Sequence, residues 1–203
     1  MTYKAYYNNN IQNEGIKDTV KAGILGLGML AGSTSNAYAT APVINRINPN
    51  ELYSQISKHE GIEPSVYKDT LKHPTIGIGF NLDDKSNQQK LAKLGINLNE
   101  LLSGKELSQT QIKQLYNLSL TTAYTDAKKF LPNLQSHPVE VQKAIIDMSF
   151  NLGINKLMQF KKLRNALATK NYKLAAAEML NSNWASQVGR RAQTLASMVR
   201  SAS

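Results

Sequence analysis

Apolar residues recur along the chain with two different periods, and the switch between them predicts its elements. Asn48 as N-cap, Pro49 at the first helical position and Glu51 three residues after the cap form a helix start, and the spacing predicts a helix from Pro49 to His59 or Glu60. Its apolar stripe is Leu52, Tyr53 and Ile56. Four residues beyond Ile56 stands Glu60, so this carboxylate falls on or beside the face turned to the interior. Gly61 ends the helix. From Ser65 to Leu82 the pattern changes: Val66-Tyr67-Lys68-Asp69, a turn around Leu71 to Pro74, then Thr75-Ile76-Gly77-Ile78-Gly79-Phe80, β-branched and aromatic residues among breakers that predict a small antiparallel hairpin or sheet. The remainder reads helical. Ser86 with Gln89 and Ser108 with Gln111 form capping boxes, the second opening a helix through Ile112, Leu115, Tyr116, Ser119 and Ala123 towards Phe130, which Pro132 stops. Further helical stripes run through Val141, Ala144, Ile145 and Met148, through Phe160, Leu163 and Leu167, through Leu174, Ala175 and Met179, and from Arg190 to Arg200. The fold class is α+β with helix dominant.

Residues 1–47 differ from the rest. A polar, Asn-rich stretch from Tyr6 to Asn13 passes into the apolar run Val20 to Ala31 and then the small-residue string Gly32 to Ala41, in which Ala37-Tyr38-Ala39 has the form of a signal-peptidase site. Two readings stand: a secretory signal cleaved after Ala39, or a flexible extension or virion-assembly tail. Residues 48–203 suffice for one domain with its own core. With 41% hydrophobic and 19% charged residues and no uncharged apolar run of spanning length, the composition excludes a disordered polyelectrolyte and a membrane bundle. The formal net charge is +10, and residues 1–50 hold only four of the basic and two of the acidic side chains. A basic domain of this kind favours a polyanion: nucleic acid, an acidic membrane face or bacterial wall polymers. Its basic residues are scattered and no nucleic-acid motif is present, which argues against the first; Lys128-Lys129 and Lys161-Lys162 read as solvated helix faces. The absence of cysteine excludes disulfides, a thiol nucleophile and a Cys-ligated metal.

Candidate chemistry narrows quickly. His59, His73 and His137 have no metal-ligand spacing, and His59-Glu60 lacks the second histidine of a zincin helix, so no metal is expected. Gly77-Ile78-Gly79 begins like a dinucleotide fingerprint, but Leu82 stands at the third glycine's place; these glycines suit hairpin geometry instead. No elbow motif anchors Ser-His-Asp chemistry. What remains is Glu60, Asp69 and Thr75. Glycoside cleavage needs one protonated carboxylic acid and one ionised carboxylate in unlike surroundings. Glu60, beside an apolar stripe, is expected to be partly desolvated and protonated; Asp69, in a polar hairpin, is expected to be ionised; Thr75 on the opposing strand can orient a water. The competing reading makes Glu60 a helix-end residue and Asp69 a turn former.

Glu60-Gly61, Tyr67-Lys68-Asp69-Thr70 and Thr75-Ile76-Gly77-Ile78-Gly79, with nine residues from Glu60 to Asp69 and six from Asp69 to Thr75, resemble the phage-type lysozymes, the endolysin family of glycoside hydrolases. Ala144-Ile145-Ile146-Asp147-Met148-Ser149-Phe150-Asn151-Leu152-Gly153, with Phe160 ten residues after Phe150, resembles that family's central buried helix. Asn183-Trp184 and Gly189-Arg190-Arg191-Ala192 resemble its C-terminal segment. The resemblance covers about Asn48 to the C-terminus. It implies a lysozyme-like fold with an N-terminal helix, a small sheet, a long connecting helix and a C-terminal helical lobe. It also implies an inverting muramidase cutting the β-1,4 bond between N-acetylmuramic acid and N-acetylglucosamine, with Glu60 as general acid, Asp69 activating the water and Thr75 helping to hold it. The cleft would lie between sheet and helical lobe, with Phe150 and Asn151 as sugar contacts, although Phe150 reads equally well as a core aromatic. No cofactor is implied. The implied partners are peptidoglycan glycan strands and phage virion proteins, and the expected state is a monomer acting on the bacterial cell wall, in lysis or entry. Phe80 and Asn81-Leu82 depart from the typical endolysin, as does Arg190 at a polar cleft position, where a cation could still face muramyl carboxylates. Trp184 reads as a packing residue. A catalytically inactive wall-binding or virion structural protein with the same fold is the alternative.

Overall fold

The computed structural model describes residues 47–69 and 72–202. The expectations for residues 1–46, including the cleavage site, lie outside the described residues; Ile47, the last residue assigned to the leader, is buried in the domain core.

Helix α1 spans Pro49–Glu60 with the Asn48 side chain accepting from the Asn50 N–H, and it stops at Gly61, whose φ of 78° lies in the left-handed region. The chain then enters a three-stranded antiparallel sheet in the order β1 (Glu63–Lys68), β2 (Pro74–Gly77), β3 (Phe80–Asn81). Tyr67 pairs with Thr75, and Ile76 with Phe80. Gly77 (φ 66°) and Gly79 (φ 68°) let the chain reverse between β2 and β3 in two residues, the hairpin role the sequence suggests.

The helical part begins with α2 (Lys85–Lys93) and α3 (Leu98–Leu102). The cap of α2 is not Ser86. Asp84 takes that place because its carboxylate accepts from both the Ser86 and Asn87 N–H groups, which a hydroxyl two residues later cannot match. Helix α4 (Gln109–Phe130) carries the complete Ser108/Gln111 capping box. It packs against α5 (Val139–Leu157), whose residues Val141 to Ser149 are buried on every face, as befits a helix at the centre of a lobe. At Gly153 (φ 66°, ψ 168°) the helical path breaks. Helices α6 (Lys161–Ala168), α7 (Tyr172–Leu180), α8 (Asn183–Val188) and α9 (Arg190–Arg200) complete the lobe, α9 lying on both α5 and α7. Leu174 does not join the stripe of α7: it is 47% exposed, and Ala175, Ala176 and Met179 fill the interior instead. The architecture is the helix-dominated α+β fold expected, and no described helix is long and apolar enough to cross a membrane.

One core group makes stability pH-dependent. His137 is buried, its Nδ1 3.1 Å from the Tyr172 hydroxyl. Burial, with the Lys170 charge adding, pushes its imidazole below the ordinary 6.5. The unfolded chain therefore binds a proton that the folded one refuses. The contribution is full above about pH 6.5 and declines as pH falls. Melting curves between pH 7.5 and 5 are expected to show Tm falling more steeply for wild type than for His137→Gln; parallel slopes would contradict this.

Candidate active site

The sheet and the helical lobe meet at the end of α1. Glu60 is the last residue of that helix, with its side chain 18% exposed. The turn between β2 and β3 passes beside it, close enough that a Cβ on Gly79 would lie 3.7 Å from Glu60 Oε2. From the opposite side α9 brings Arg191, whose Nη1 donates to Glu60 Oε1 at 2.7 Å. From α5, Asn151 Nδ2 approaches the same oxygen at 3.5 Å, while its Oδ1 accepts from Trp184 Nε1 at 2.8 Å. The indole is buried with Phe160 edge-on to it at 6.1 Å, in keeping with a packing residue that also steers Asn151. Glu60 is thus partly desolvated as expected, but a guanidinium takes the place of the apolar lining that α1 alone suggests.

Behind Arg191 lies a further carboxylate, to which the family resemblance gives no role. Asp147 on α5 is 0% exposed. Its Oδ1 accepts from Arg191 Nε at 2.8 Å and lies 2.7 Å from Nη2, which also donates to the Asp147 carbonyl at 3.2 Å. Its Oδ2 accepts from Gln55 Nε2 at 2.6 Å and faces His59 Nδ1 at 3.0 Å. Burial by itself would raise this carboxyl. The His59 hydrogen bond, the Arg191 charge and the Gln55 amide outweigh burial and hold it below the ordinary carboxylate value.

Asp69 follows β1 directly. Its N–H donates to the His73 carbonyl at 3.0 Å and its Oδ1 accepts the His73 N–H at 2.9 Å, closing the loop that carries it and fixing the carboxylate. Thr75, on β2 opposite Tyr67, is 2% exposed and donates its hydroxyl to the same His73 carbonyl at 3.1 Å. Its proton is therefore engaged by the loop, and only its lone pairs are left for a water. Tyr67 links the two carboxylates: burial first, then the charges of Glu60, Asp69 and Glu63, push its phenol above the ordinary value. The phenol thus lies within electrostatic reach of both.

The structure brings Glu60 and Asn151 together and ties Asp69, after β1, and Thr75, on β2, to the same His73 backbone. Phe150 is different: half-buried, its ring stacks on Tyr116 at 6.0 Å against the core. Arg190 is exposed, and its neighbour Arg191 is the residue that reaches the site. No group of three His, Cys, Asp or Glu side chains suited to a metal occurs among the described residues; His59 and His73 each face an aspartate, Asp147 and Asp83 respectively.

With this geometry in hand, the phage lysozyme family model matches residues 57–202, a span that includes Glu60, Asp69, Asp147 and Arg191. The chain belongs to the phage lysozyme family. It is also similar to two proteins of Dictyostelium discoideum. One, named probable T4-type lysozyme 1, is 28% identical over 162 residues, covering 74% of this chain and 94% of that protein. The other, probable T4-type lysozyme 2, is 26% identical over 161 residues, covering 73% and 93%. Membership of the family assigns the chain to the lysozyme-type glycosidases, whose substrate is peptidoglycan.

Proposed function

We propose that residues 48–203 form an inverting muramidase that hydrolyses the β-1,4 bond between N-acetylmuramic acid and N-acetylglucosamine. The observation that carries this reading is the pair of carboxylates in unlike settings. Glu60 is 18% exposed and braced by Arg191, while Asp69 is oriented by a backbone N–H on a polar loop. Arg191 and Asn151 both approach Glu60 Oε1, which leaves Oε2 as the oxygen to serve the leaving group. Asp69 takes a proton from a water held with the help of Thr75. That water adds to the muramyl anomeric carbon as its bond to the glycosidic oxygen breaks, and Glu60 protonates the departing oxygen. Inversion requires room for the water between the carboxyls, a separation of roughly 6.5–9.5 Å. Asn151, exposed beside Glu60, and Phe150 contact the sugars. The basic surface favours approach to anionic wall polymers, an attraction that salt weakens. The setting is the bacterial cell wall, reached by export or phage-mediated release, with virion proteins as partners in an entry role.

The test is turbidity clearance of outer-membrane-permeabilised bacteria by the full chain, with reducing-end analysis and proton NMR of the first-formed anomer. Clearance with new muramic acid reducing ends in the α configuration is the expected result. A β product would replace inversion by retention. Binding to walls without clearance would make the chain a silent wall-binding protein.

A further inference from the structure

We infer that Asp147 is a positioning residue for the reaction proposed above: by engaging Arg191 through its Nε and Nη2 groups, it divides the guanidinium charge between two carboxylates and leaves Glu60 able to keep the proton it must donate. The inference rests on that reaction, but its physical content is local.

The geometry is that of one cation between two anions. Arg191 turns Nε and Nη2 to Asp147 Oδ1 and the Asp147 carbonyl, and only Nη1 to Glu60 Oε1. A guanidinium is a planar fork, so fixing two of its edges on Asp147 dictates where Nη1 points. Asp147 is in turn fixed on its other oxygen by Gln55 and His59, both from α1, the helix that ends in Glu60. The assembly therefore joins α1, α5 and α9 around the acid. Electrostatics give it a direction. Arg191 facing Glu60 alone would be a full opposite charge within hydrogen-bonding distance, an arrangement that favours a carboxylate and works against a general acid. Asp147 supplies the compensating charge and, enclosed and well partnered, stays ionised when protons arrive. Tyr67 on β1 also lies within electrostatic reach of Glu60, and the charges of Asp69 and Glu63 act on that phenol as well.

A merely structural Asp147 would affect stability but not where activity is lost at high pH. The upper limb of the kcat/KM profile reports loss of the acid's proton. In Asp147→Asn that limb is expected to move to lower pH by about one unit, since an uncompensated opposite charge shifts a carboxyl by about 1–3 units. Removing the cation as well, in Asp147→Asn with Arg191→Gln, should return the limb to the wild-type position or above it. The same order is read without turnover from the 13C carboxyl resonance of Glu60, identified by its absence in Glu60→Gln. An inactive wild type would end the muramidase reading yet leave this titration decisive for Asp147. If the single variant does not fold, the charge-neutral pair decides: a Glu60 titration below that of wild type overturns the inference. An unmoved limb and an unmoved resonance in a folded Asp147→Asn protein overturn it too.

Discussion

Glu60→Gln is expected to cut turnover at least about 10²-fold while leaving the fold unchanged. The expectation follows from the bonds that the amide keeps and the proton that it lacks. Its carbonyl oxygen still accepts from Arg191 Nη1, and Arg191 still has Asp147 as its counterion, so no buried charge is left alone. Circular dichroism and Tm should match wild type. The amide, however, has no acidic proton for the glycosidic oxygen, and positioned acids contribute roughly 10²–10⁴-fold to such steps. Assays of soluble peptidoglycan fragments measure the residual rate free of binding to whole walls. A variant that keeps more than about one per cent of the wild-type rate removes Glu60 from the role of acid.

Arg191→Ala is expected to be the most damaging single change to stability. It deletes every guanidinium bond to Asp147 and leaves that carboxylate enclosed with only Gln55 and His59. Breaking a buried ion pair by removing one partner costs about 3–5 kcal/mol, because the survivor's desolvation is no longer offset. For a domain of this size each kcal/mol lowers Tm by about 2–4 °C, so a fall on the order of 10 °C should appear in thermal melts. The pH dependence has a definite sign. In wild type Asp147 titrates below the ordinary 3.8, so its contribution is complete above that value and lost as pH falls further. The gap between wild type and variant should accordingly narrow on acidification below about pH 4. A decrease of only a degree or two at neutral pH would mean that water or side-chain rearrangement already solvates Asp147.

What could be read from the sequence was local. The Asn48-Pro49 start and the Gly61 stop fix α1 and so place Glu60, because both signals act within one turn of the helix. Likewise Gly77 and Gly79 announce a reversal that only positive φ permits. Asp69 and Thr75 stand on either side of the β1–β2 connection because the two strands flanking it are short. The capping box at Ser86 and Gln89 gives way to Asp84, whose carboxylate reaches two N–H groups. The position of Thr75 was legible, but not the engagement of its hydroxyl by His73. Arg191 and Asp147 escaped for a different reason. The stripe of α9 (Ala192, Leu195, Ala196, Val199) leaves Arg191 at its edge, looking like solvent. A signal was nonetheless present: Asp147 is the only ionisable residue between Ala144 and Phe150, a run buried almost throughout, and such a residue requires a cation somewhere. Which cation, a periodicity cannot say.

The Glu60–Arg191 contact joins residues 131 positions apart, one at the start of the domain and the other in its last helix. A chain emerging from the ribosome thus carries its acid early and acquires the partner for it almost last. Until α9 docks, Asp147 lacks its guanidinium partner and the cluster around Glu60 is incomplete. A lysozyme-type glycosidase would in this way complete the surroundings of its acid only with the docking of this helix.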